Sequence, residues 1–275
     1  MEGAMEFTFR GKSIYYEIHG EGAPLLLLNG IMMTTASWAP FVPAFTKGGM
    51  RLILTDLMDQ GKSGAYTEGY HIADQAQMIA ALLDHLGHEQ CAIMGTSYGG
   101  AVALSFATQY PNRVSRLMLA ATRCYTDPLF KDMCESWLHA CHSPQALYTA
   151  TMPLFYGASF QEAANDWLLS RRKLLEKTAF SSPDFLARFK RLVESILVFD
   201  LRDTLDQVTA PTLVLAPEED LVMMPWEQKR IAQGIKGAHL VTLHKTGHVM
   251  FLEKPDLFIP LMMGWFHFPD TIALP

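Results

Sequence analysis

Gly95-Thr96-Ser97-Tyr98-Gly99-Gly100 is the stretch of sequence that decides the fold of this chain. It follows an apolar run at residues 91–94, which predicts a buried strand, and precedes apolar residues 101–107, which predict a buried helix. A Gly-x-Ser-x-Gly sequence between a strand and a helix is typical of a sharp turn that presents its serine hydroxyl beyond the strand. Such a turn needs neighbours without a Cβ atom, which the glycines provide. We therefore predict that Ser97 is a nucleophile.

The composition of the chain excludes several classes of protein. Its 275 residues suit one large α/β domain, or one domain with an insertion, and a hydrophobic fraction of 49% allows a sizeable core. The net charge of −6 comes without a basic stripe, so nucleic acid is not an expected partner. No apolar run approaches the roughly 18 residues that a membrane-spanning helix needs. Residues 1–6 have neither a basic region nor a long apolar stretch, so we expect no signal peptide and a cytoplasmic location.

No cofactor or metal site is predicted. The cysteines have neither zinc nor redox spacing and are expected to be reduced thiols: Cys91, Cys124, Cys134 and Cys141. The sequence Gly61-Lys62-Ser63 is similar to the end of a phosphate loop, but Asp56 stands where the earlier glycine is required. His244 and His248 have the spacing of helical metal ligands, but a glycine turn separates them and no acidic third ligand accompanies them.

Strand and helix patterns alternate up to residue 123, which is the signature of a parallel sheet. The predicted strands of this part begin with an antiparallel hairpin and are residues 6–10, 13–18, 25–28, 51–55, 91–94 and 114–121. Helices are predicted at residues 37–45, with Ser37 as N-cap, and at residues 72–86.

The pattern changes between residues 124 and 206, where no strand is predicted. Helical stretches separated by prolines occupy this segment, at residues 129–140, 146–152, 161–176 and 183–199. The sheet then resumes, with strands at residues 212–216 and 239–243 and helices at residues 225–235 and 255–265. We therefore predict a core domain formed by residues 1–123 and 207–275, and a helical cap formed by residues 124–206.

A serine hydroxyl is a weak nucleophile and needs an adjacent base, usually a histidine that a carboxylate orients. His248 lies in a turn after the last predicted strand, from which it can reach the sheet edge that carries Ser97, whereas His244 at the end of that strand is the alternative. Asp220 follows the strand at residues 212–216 and reaches the same edge. The competing acids on that loop are Glu218 and Glu219. We predict that Ser97, Asp220 and His248 are the nucleophile, the acid and the base.

These motifs together make the chain similar to the lidded serine hydrolases of the α/β-hydrolase fold. The resemblance covers nearly the whole predicted sheet and rests on Asn29-Gly30, Asp56 with Gly61 and Ser63, residues 95–100 and 211–215, Asp220, Gly247-His248 and Glu253-Lys254-Pro255. It implies an α/β fold with a mostly parallel, twisted, eight-stranded sheet, flanking helices and a helical cap insertion.

The resemblance also implies an oxyanion hole formed by the backbone N–H groups of Ile31 and Tyr98. The family usually begins its oxyanion loop with His-Gly, whereas this chain has Asn29-Gly30, whose amide side chain can still hydrogen-bond the loop. Residues 29–38 are similar to the same loop in hydroxyacyl transferases of this fold. Because the nucleophile is Ser97 and not an aspartate, haloalkane dehalogenase and epoxide hydrolase chemistry is disfavoured.

The chain has sixteen methionines, several of them next to predicted site residues. They either fill the core in the ordinary way or form an adaptable apolar wall for an acyl or alkyl group, which aromatic residues of the cap would complete. The predicted substrate-binding residues are Met32, Trp137, Phe155, Trp167, Met223 and Val249. Arg123, at the end of a strand, is the candidate for binding a substrate carboxylate.

The leading hypothesis is a serine hydrolase that cleaves a carboxylic ester or lactone through an acyl-enzyme. An acyltransferase or thioesterase acting on a hydroxyacyl carrier substrate would use the same acyl-enzyme. A ligand receptor on the same fold would keep the pocket without turnover. The expected partner is a small-molecule ester, lactone or acyl compound, and a homodimer is left open.

Overall fold

Eight strands form a single sheet in the computed structural model, which describes residues 3–267. In chain order they are β1 (Gly3–Phe9), β2 (Lys12–His19), β3 (Ala23–Leu28), β4 (Met50–Thr55), β5 (Cys91–Thr96), β6 (Val114–Ala120), β7 (Thr212–Pro217) and β8 (His239–Leu243). Across the sheet the order is β1-β2-β4-β3-β5-β6-β7-β8. The pairs β1·β2 and β2·β4 are antiparallel and all other neighbours are parallel. The expected mostly parallel, eight-stranded sheet is confirmed.

Helices cover both faces of this sheet. In chain order they are α1 (Val42–Lys47), α2 (Ile72–His85), α3 (Tyr98–Gln109), α4 (Pro128–Ala140), α5 (Pro144–Phe155), α6 (Ala158–Ala163), α7 (Asn165–Lys177), α8 (Pro183–Ile196), α9 (Pro225–Gly234), α10 (Met250–Glu253) and α11 (Pro255–His267). Alternate side chains of a strand point to opposite faces. Thus Leu26 and Leu28 belong to the core beneath α2 and α3, whereas Leu25 and Leu27 belong to the core beneath α1 and α11.

The parallel strands determine where the functional segments meet. Because β3, β5, β7 and β8 all run in one direction, the segments that follow them lie at the same edge of the sheet. Ligands of open α/β sheets bind outside these carboxyl ends. The loop after β3, Ser97 after β5, Asp220 after β7 and His248 after β8 therefore converge.

The insertion between β6 and β7 is helical, as the sequence predicts, and contains α4 to α8. Three of these helices begin with proline after an N-cap side chain that accepts a backbone N–H: Asp127, Ser143 and Ser182. Proline suits the first helical position because its missing N–H has no acceptor there. An isolated antiparallel bridge between Tyr125 and Asp200 joins the two ends of the insertion.

Two helix predictions were wrong in their boundaries. Residues 37–45 do not form one helix: a 3₁₀ turn at Thr35–Trp38 precedes α1, because prolines at positions 40 and 43 have no N–H for helical hydrogen bonds. Ser37 is not the N-cap of α1, and its hydroxyl accepts the N–H of Thr34. The stretch 161–176 is divided at Ala164, which separates α6 from α7.

Candidate active site

Ser97 lies at a strained turn between β5 and α3. Its backbone has φ 55° and ψ −120°, a conformation that residues other than glycine rarely adopt. A Cβ on Gly95 would lie 2.3 Å from the carbonyl oxygen of Gly99, and one on Gly99 would lie 2.4 Å from the carbonyl oxygen of Leu28. The close approach of strand, turn and helix therefore requires glycine at both positions.

Ser97, His248 and Asp220 form a continuous chain of contacts. The Nε2 atom of His248 lies 2.8 Å from the Ser97 hydroxyl, and its Nδ1 atom lies 2.8 Å from Oδ2 of Asp220. The other oxygen of Asp220 accepts the N–H groups of Val222 and Met223, each at 2.8 Å. All three side chains are buried, with at most 7% of their surface exposed. In this arrangement Nδ1–H donates to the carboxylate, so Nε2 is free to accept the serine proton.

The competing acids and base do not reach Ser97. The side chain of His244 is 81% exposed and contacts Glu218 at 3.2 Å. Glu219 instead accepts the N–H and the hydroxyl of Ser159, at the start of α6. The structure therefore brings together the three residues that the sequence predicts and leaves their competitors outside.

The loop after β3 is fixed by buried polar side chains. The amide of Asn29 donates to the carbonyl of Thr55 at 2.9 Å, and its oxygen accepts the indole N–H of Trp38 at 2.7 Å. The buried carboxylate of Asp56 accepts the N–H groups of Thr35 and Lys62. Burial raises the pKa of Asp56, although these two N–H groups oppose the rise. Asn29 thus ties the loop to β4 where the family usually has histidine.

The predicted oxyanion-hole residues lie on either side of Ser97. Tyr98 is the first residue of α3, where backbone N–H groups have no acceptor within the helix. Ile31 lines the same cavity as Ser97, and the carbonyl of the preceding Gly30 accepts the amide of Gln60 at 2.9 Å. The tyrosine hydroxyl points elsewhere, to Ser195 at 2.7 Å, so only the Tyr98 N–H is available to a substrate.

Ser97 and His248 line a cavity of about 560 Å³. Core loops and insertion helices both line it, and three predicted substrate residues are among them: Met32, Phe155 and Val249. Further apolar lining residues that the sequence analysis did not select are Met33, Phe180, Phe185 and Ile259. The cavity therefore has the size and the apolar character of a small-molecule site.

Within residues 3–267, no group of three or more His, Cys, Asp or Glu side chains is arranged to hold a metal ion. None of the helices in this part of the chain combines the length and the apolar character needed to cross a membrane.

A family model described as the alpha/beta hydrolase fold matches residues 23–255. The chain belongs to the α/β hydrolase family. This membership supports hydrolytic activity, and so do the contacts of His248 with Ser97 and with Asp220, each at 2.8 Å.

Relatives of this α/β hydrolase resemble it over most of their length. A protein of Variovorax paradoxus that carries the name carbamate hydrolase RutD is 30% identical over 262 residues, 89% of this chain and 92% of the relative. The pimeloyl-[acyl-carrier protein] methyl ester esterase of Nitrosospira multiformis is 29% identical over 259 residues, 90% of this chain and 95% of the relative. The crystal structure of MGS-M2, an alpha/beta hydrolase enzyme from a Medee basin deep-sea metagenome library, has a TM-score of 0.95 at 35% identity and covers 98% of this chain and 100% of that one.

Two of the predicted substrate-binding residues lie beside the main cavity. Trp137 and Met223 line a much smaller cavity of about 10 Å³, which shares Ile31, Ser97 and Phe155 with the large one. Trp137 is buried and its indole N–H donates to the carbonyl of Ala150 at 3.1 Å. Both residues therefore limit the space on this side of Ser97.

The prediction that Trp167 lines the substrate cavity was wrong. Trp167 is 40% exposed and lies on the outer side of the cavity wall, where its ring packs edge-on against Tyr156 and Phe160. It lines neither cavity at Ser97. The reason is position along α7: Trp167 lies one turn before Arg171 on the same side of the helix, and only Arg171 and Leu175, further along, line the cavity.

Arg123 is not available to a substrate carboxylate. Its guanidinium is buried and pairs with Asp127 at 3.0 Å and with Glu227 at 2.9 Å. It also donates to the carbonyl of Val222 and to the sulfur of Met223. Arg123 therefore supports the loop that carries Asp220, and the basic residue that does face the cavity, Arg171, has no distinguishing signal in the sequence.

Proposed function

We propose that this α/β hydrolase is a serine hydrolase that cleaves a carboxylic ester or a lactone through an acyl-enzyme. The observation that carries the proposal is the contact of His248 with both Ser97 and Asp220, each at 2.8 Å, where Ser97 and His248 line an apolar cavity. A nucleophile, a base and an orienting acid within hydrogen-bond distance are the minimum set for acyl transfer to serine.

In the first half of the proposed reaction, the Ser97 oxygen attacks the substrate carbonyl while Nε2 of His248 takes the hydroxyl proton. The carbonyl oxygen becomes an oxyanion, which the N–H groups of Ile31 and Tyr98 stabilise. Asp220 holds the imidazole in the required tautomer and stabilises its positive charge. The intermediate then expels the alcohol, which takes the proton from His248, and leaves an acyl group on Ser97.

In the second half, His248 accepts a proton from water as the water attacks the acyl-enzyme, and then returns that proton to Ser97. The carboxylic acid leaves the site. For a lactone the alcohol and the acid are parts of one product, a hydroxy acid. The same acyl-enzyme would serve a thioester substrate or a second acceptor in place of water.

The apolar residues that the insertion contributes to the cavity favour an acyl substrate larger than an acetyl group. We propose that residues 124–206 act as a cap, because Met152, Phe155 and Phe180 from this segment line the cavity with residues of the core.

The relatives' names include both a carbamate and a methyl ester as substrates. A cavity of about 560 Å³ with apolar walls favours the ester, since a simple carbamate is small and polar.

Labelling with a fluorophosphonate tests the proposal most directly. The wild-type protein should be labelled and should hydrolyse p-nitrophenyl esters, whereas Ser97→Ala should lose labelling and at least about 10³-fold in kcat/KM. A parallel screen with lactones and acyl thioesters ranks the substrate classes. Wild-type protein that neither reacts with the probe nor turns over any of these substrates would identify a ligand receptor instead. Equal labelling of the two proteins would show that Ser97 is not the nucleophile.

A further inference from the structure

One basic side chain lines the apolar cavity. Among the described residues that form its wall, Arg171 is the only acidic or basic side chain besides His248. It extends from the middle of α7, and Leu175 one turn later lines the same cavity. The remaining wall is dominated by Met, Phe and Ile side chains, so the arginine charge is the main electrostatic feature that a bound substrate meets away from Ser97.

The guanidinium of Arg171 has no acidic partner among residues 3–267. Its Nε–H is buried and has no hydrogen-bond acceptor. The four other arginines of the insertion each pair with a carboxylate: Arg172 with Glu176, Arg188 with Asp184, Arg191 with Asp59 and Arg202 with Asp200. A buried donor without an acceptor is unfavourable and is usually satisfied by a partner. The contrast lies in the carboxylate, which Arg171 alone of these arginines lacks, and it indicates that a carboxylate partner is supplied from outside the chain.

Two aromatic side chains hold the guanidinium in place. The Cζ atom of Arg171 lies 5.3 Å from the ring centre of Trp167, which is one helical turn earlier on α7. The hydroxyl of Tyr156 lies beside the same guanidinium: burial raises the pKa of Tyr156, and the charge of Arg171 opposes this rise. Tyr156 also lines the cavity and contacts the indole of Trp167 edge-on. Trp167 therefore contacts the guanidinium of Arg171 without lining the cavity itself.

We propose that Arg171 binds a carboxylate of the substrate at the end remote from the scissile bond. This inference rests on the proposed function and narrows its substrate class to esters or lactones that carry a free carboxylate. The guanidinium presents donors in a planar fork that fits both oxygens of a carboxylate, and such charge-assisted bonds are strong in an apolar, desolvated site. The apolar wall between Arg171 and Ser97 then accommodates a methylene chain.

Matched ester pairs test this proposal. The probes are the p-nitrophenyl monoesters of glutarate and suberate, compared with p-nitrophenyl pentanoate and octanoate, which have similar chains without the terminal charge. The measured quantity is the ratio of kcat/KM for the charged ester to that for the neutral ester. We expect wild-type protein to prefer one charged ester, and Arg171→Gln to lower this ratio about 10- to 100-fold, mainly through KM. Arg171→Lys, which keeps the charge and loses the fork, should fall in between.

Arg172→Gln is the matched control, because Arg172 is the next residue on α7 but pairs with Glu176 and does not line the cavity. It should keep the wild-type ratio. The proposal is overturned if wild-type protein shows no preference for either charged ester, if Arg171→Gln keeps the ratio, or if both glutamine variants lower it equally.

A binding measurement separates this inference from the proposed reaction. Calorimetric titration of the Ser97→Ala variant with suberate and with glutarate requires no turnover. Binding of a dicarboxylate that is lost in the Ser97→Ala/Arg171→Gln double variant supports the carboxylate site even if no ester is hydrolysed. Binding that the double variant retains, or absence of binding by both proteins, overturns it even if Ser97 proves to be the nucleophile.

Discussion

At the scale of single residues, Asp220 is constrained at both of its oxygens. One oxygen accepts from His248 and the other accepts two backbone N–H groups, from Val222 and Met223. An amide at this position has only one accepting oxygen. If that oxygen meets the two N–H groups, the NH₂ group faces Nδ1 of His248 and forces the proton to Nε2. That tautomer cannot accept the proton of Ser97.

We therefore expect Asp220→Asn to lower kcat by roughly 10⁴-fold while the protein stays folded. Steady-state kinetics with a p-nitrophenyl ester and circular dichroism measure the two properties. Glu218→Gln is the matched control, since Glu218 lies on the same loop but contacts only the exposed turn at His244 and Lys245. A loss of activity in the control as large as that in Asp220→Asn would show that the acid has been assigned to the wrong residue.

At the scale of secondary-structure elements, the insertion meets the loop that carries His248 where α5 ends and α6 begins. The carboxylate of Glu253 accepts the N–H of Gly157, from the insertion, and the N–H of Gly247, which precedes His248. The carbonyl of Phe155 accepts the N–H of Val249 at 3.2 Å. The position of the insertion is therefore coupled to the position of His248.

Gly157 is the residue at which this coupling can be tested. A Cβ at this position would lie 2.6 Å from a carboxylate oxygen of Glu219 and 2.8 Å from the N–H nitrogen of Gly247. The backbone of Gly157 has φ −61°, so alanine is excluded by contact and not by conformation. We expect Gly157→Ala to displace α6 from the loop of His248 and to lower the free energy of unfolding by about 1–3 kcal/mol, as overpacking typically does.

The measurements for Gly157→Ala are chemical denaturation and kcat/KM for a p-nitrophenyl ester, both of which should fall. Gly69→Ala is the control, because a Cβ on Gly69 meets no atom within 4 Å. Wild-type activity and stability in Gly157→Ala would show that the insertion and the His248 loop move independently.

At the scale of the whole molecule, the sequence predicts the sheet better than it predicts the cavity. The apolar runs and the Gly-x-Ser-x-Gly turn are local signals, so the strands are predictable, and the meeting of Ser97, Asp220 and His248 follows from the common direction of the parallel strands. The order in which β4 lies between β2 and β3 has no such local signal. The faces of the insertion helices depend on how those helices pack together. Trp167 and Arg171 are one turn apart on α7, yet only the arginine reaches the cavity. No periodicity within α7 distinguishes them, since none of its residues is fully buried.

The buried contact of Glu227 with Arg123, behind the site, affects the stability of the whole molecule. Burial raises the pKa of Glu227 from 4.5 to about 8, although Arg123 opposes this rise. One oxygen of Glu227 has no hydrogen-bond partner in the part of the chain that the structure describes. In the unfolded chain the carboxyl loses its proton near pH 4.5, whereas the folded protein keeps it up to about pH 8. The folded state thus binds more protons in this interval, and its stability must fall as the pH rises.

We expect the free energy of unfolding, measured by denaturation in urea, to decrease between pH 6.5 and about 8, and Glu227→Gln to flatten this decrease. The interval begins at pH 6.5, the ordinary pKa of histidine. Burial lowers the pKa of His88, so below pH 6.5 this histidine makes the free energy of unfolding rise with pH and opposes the effect of Glu227. Glu162→Gln, at an exposed glutamate of α6, is the control and should keep the wild-type slope. Parallel curves for wild type and Glu227→Gln would mean that Glu227 is ionised in the folded protein throughout this interval. Arg123 and Glu227 would then form a permanent ion pair beneath the loop of Asp220, and stability in this range would be set elsewhere.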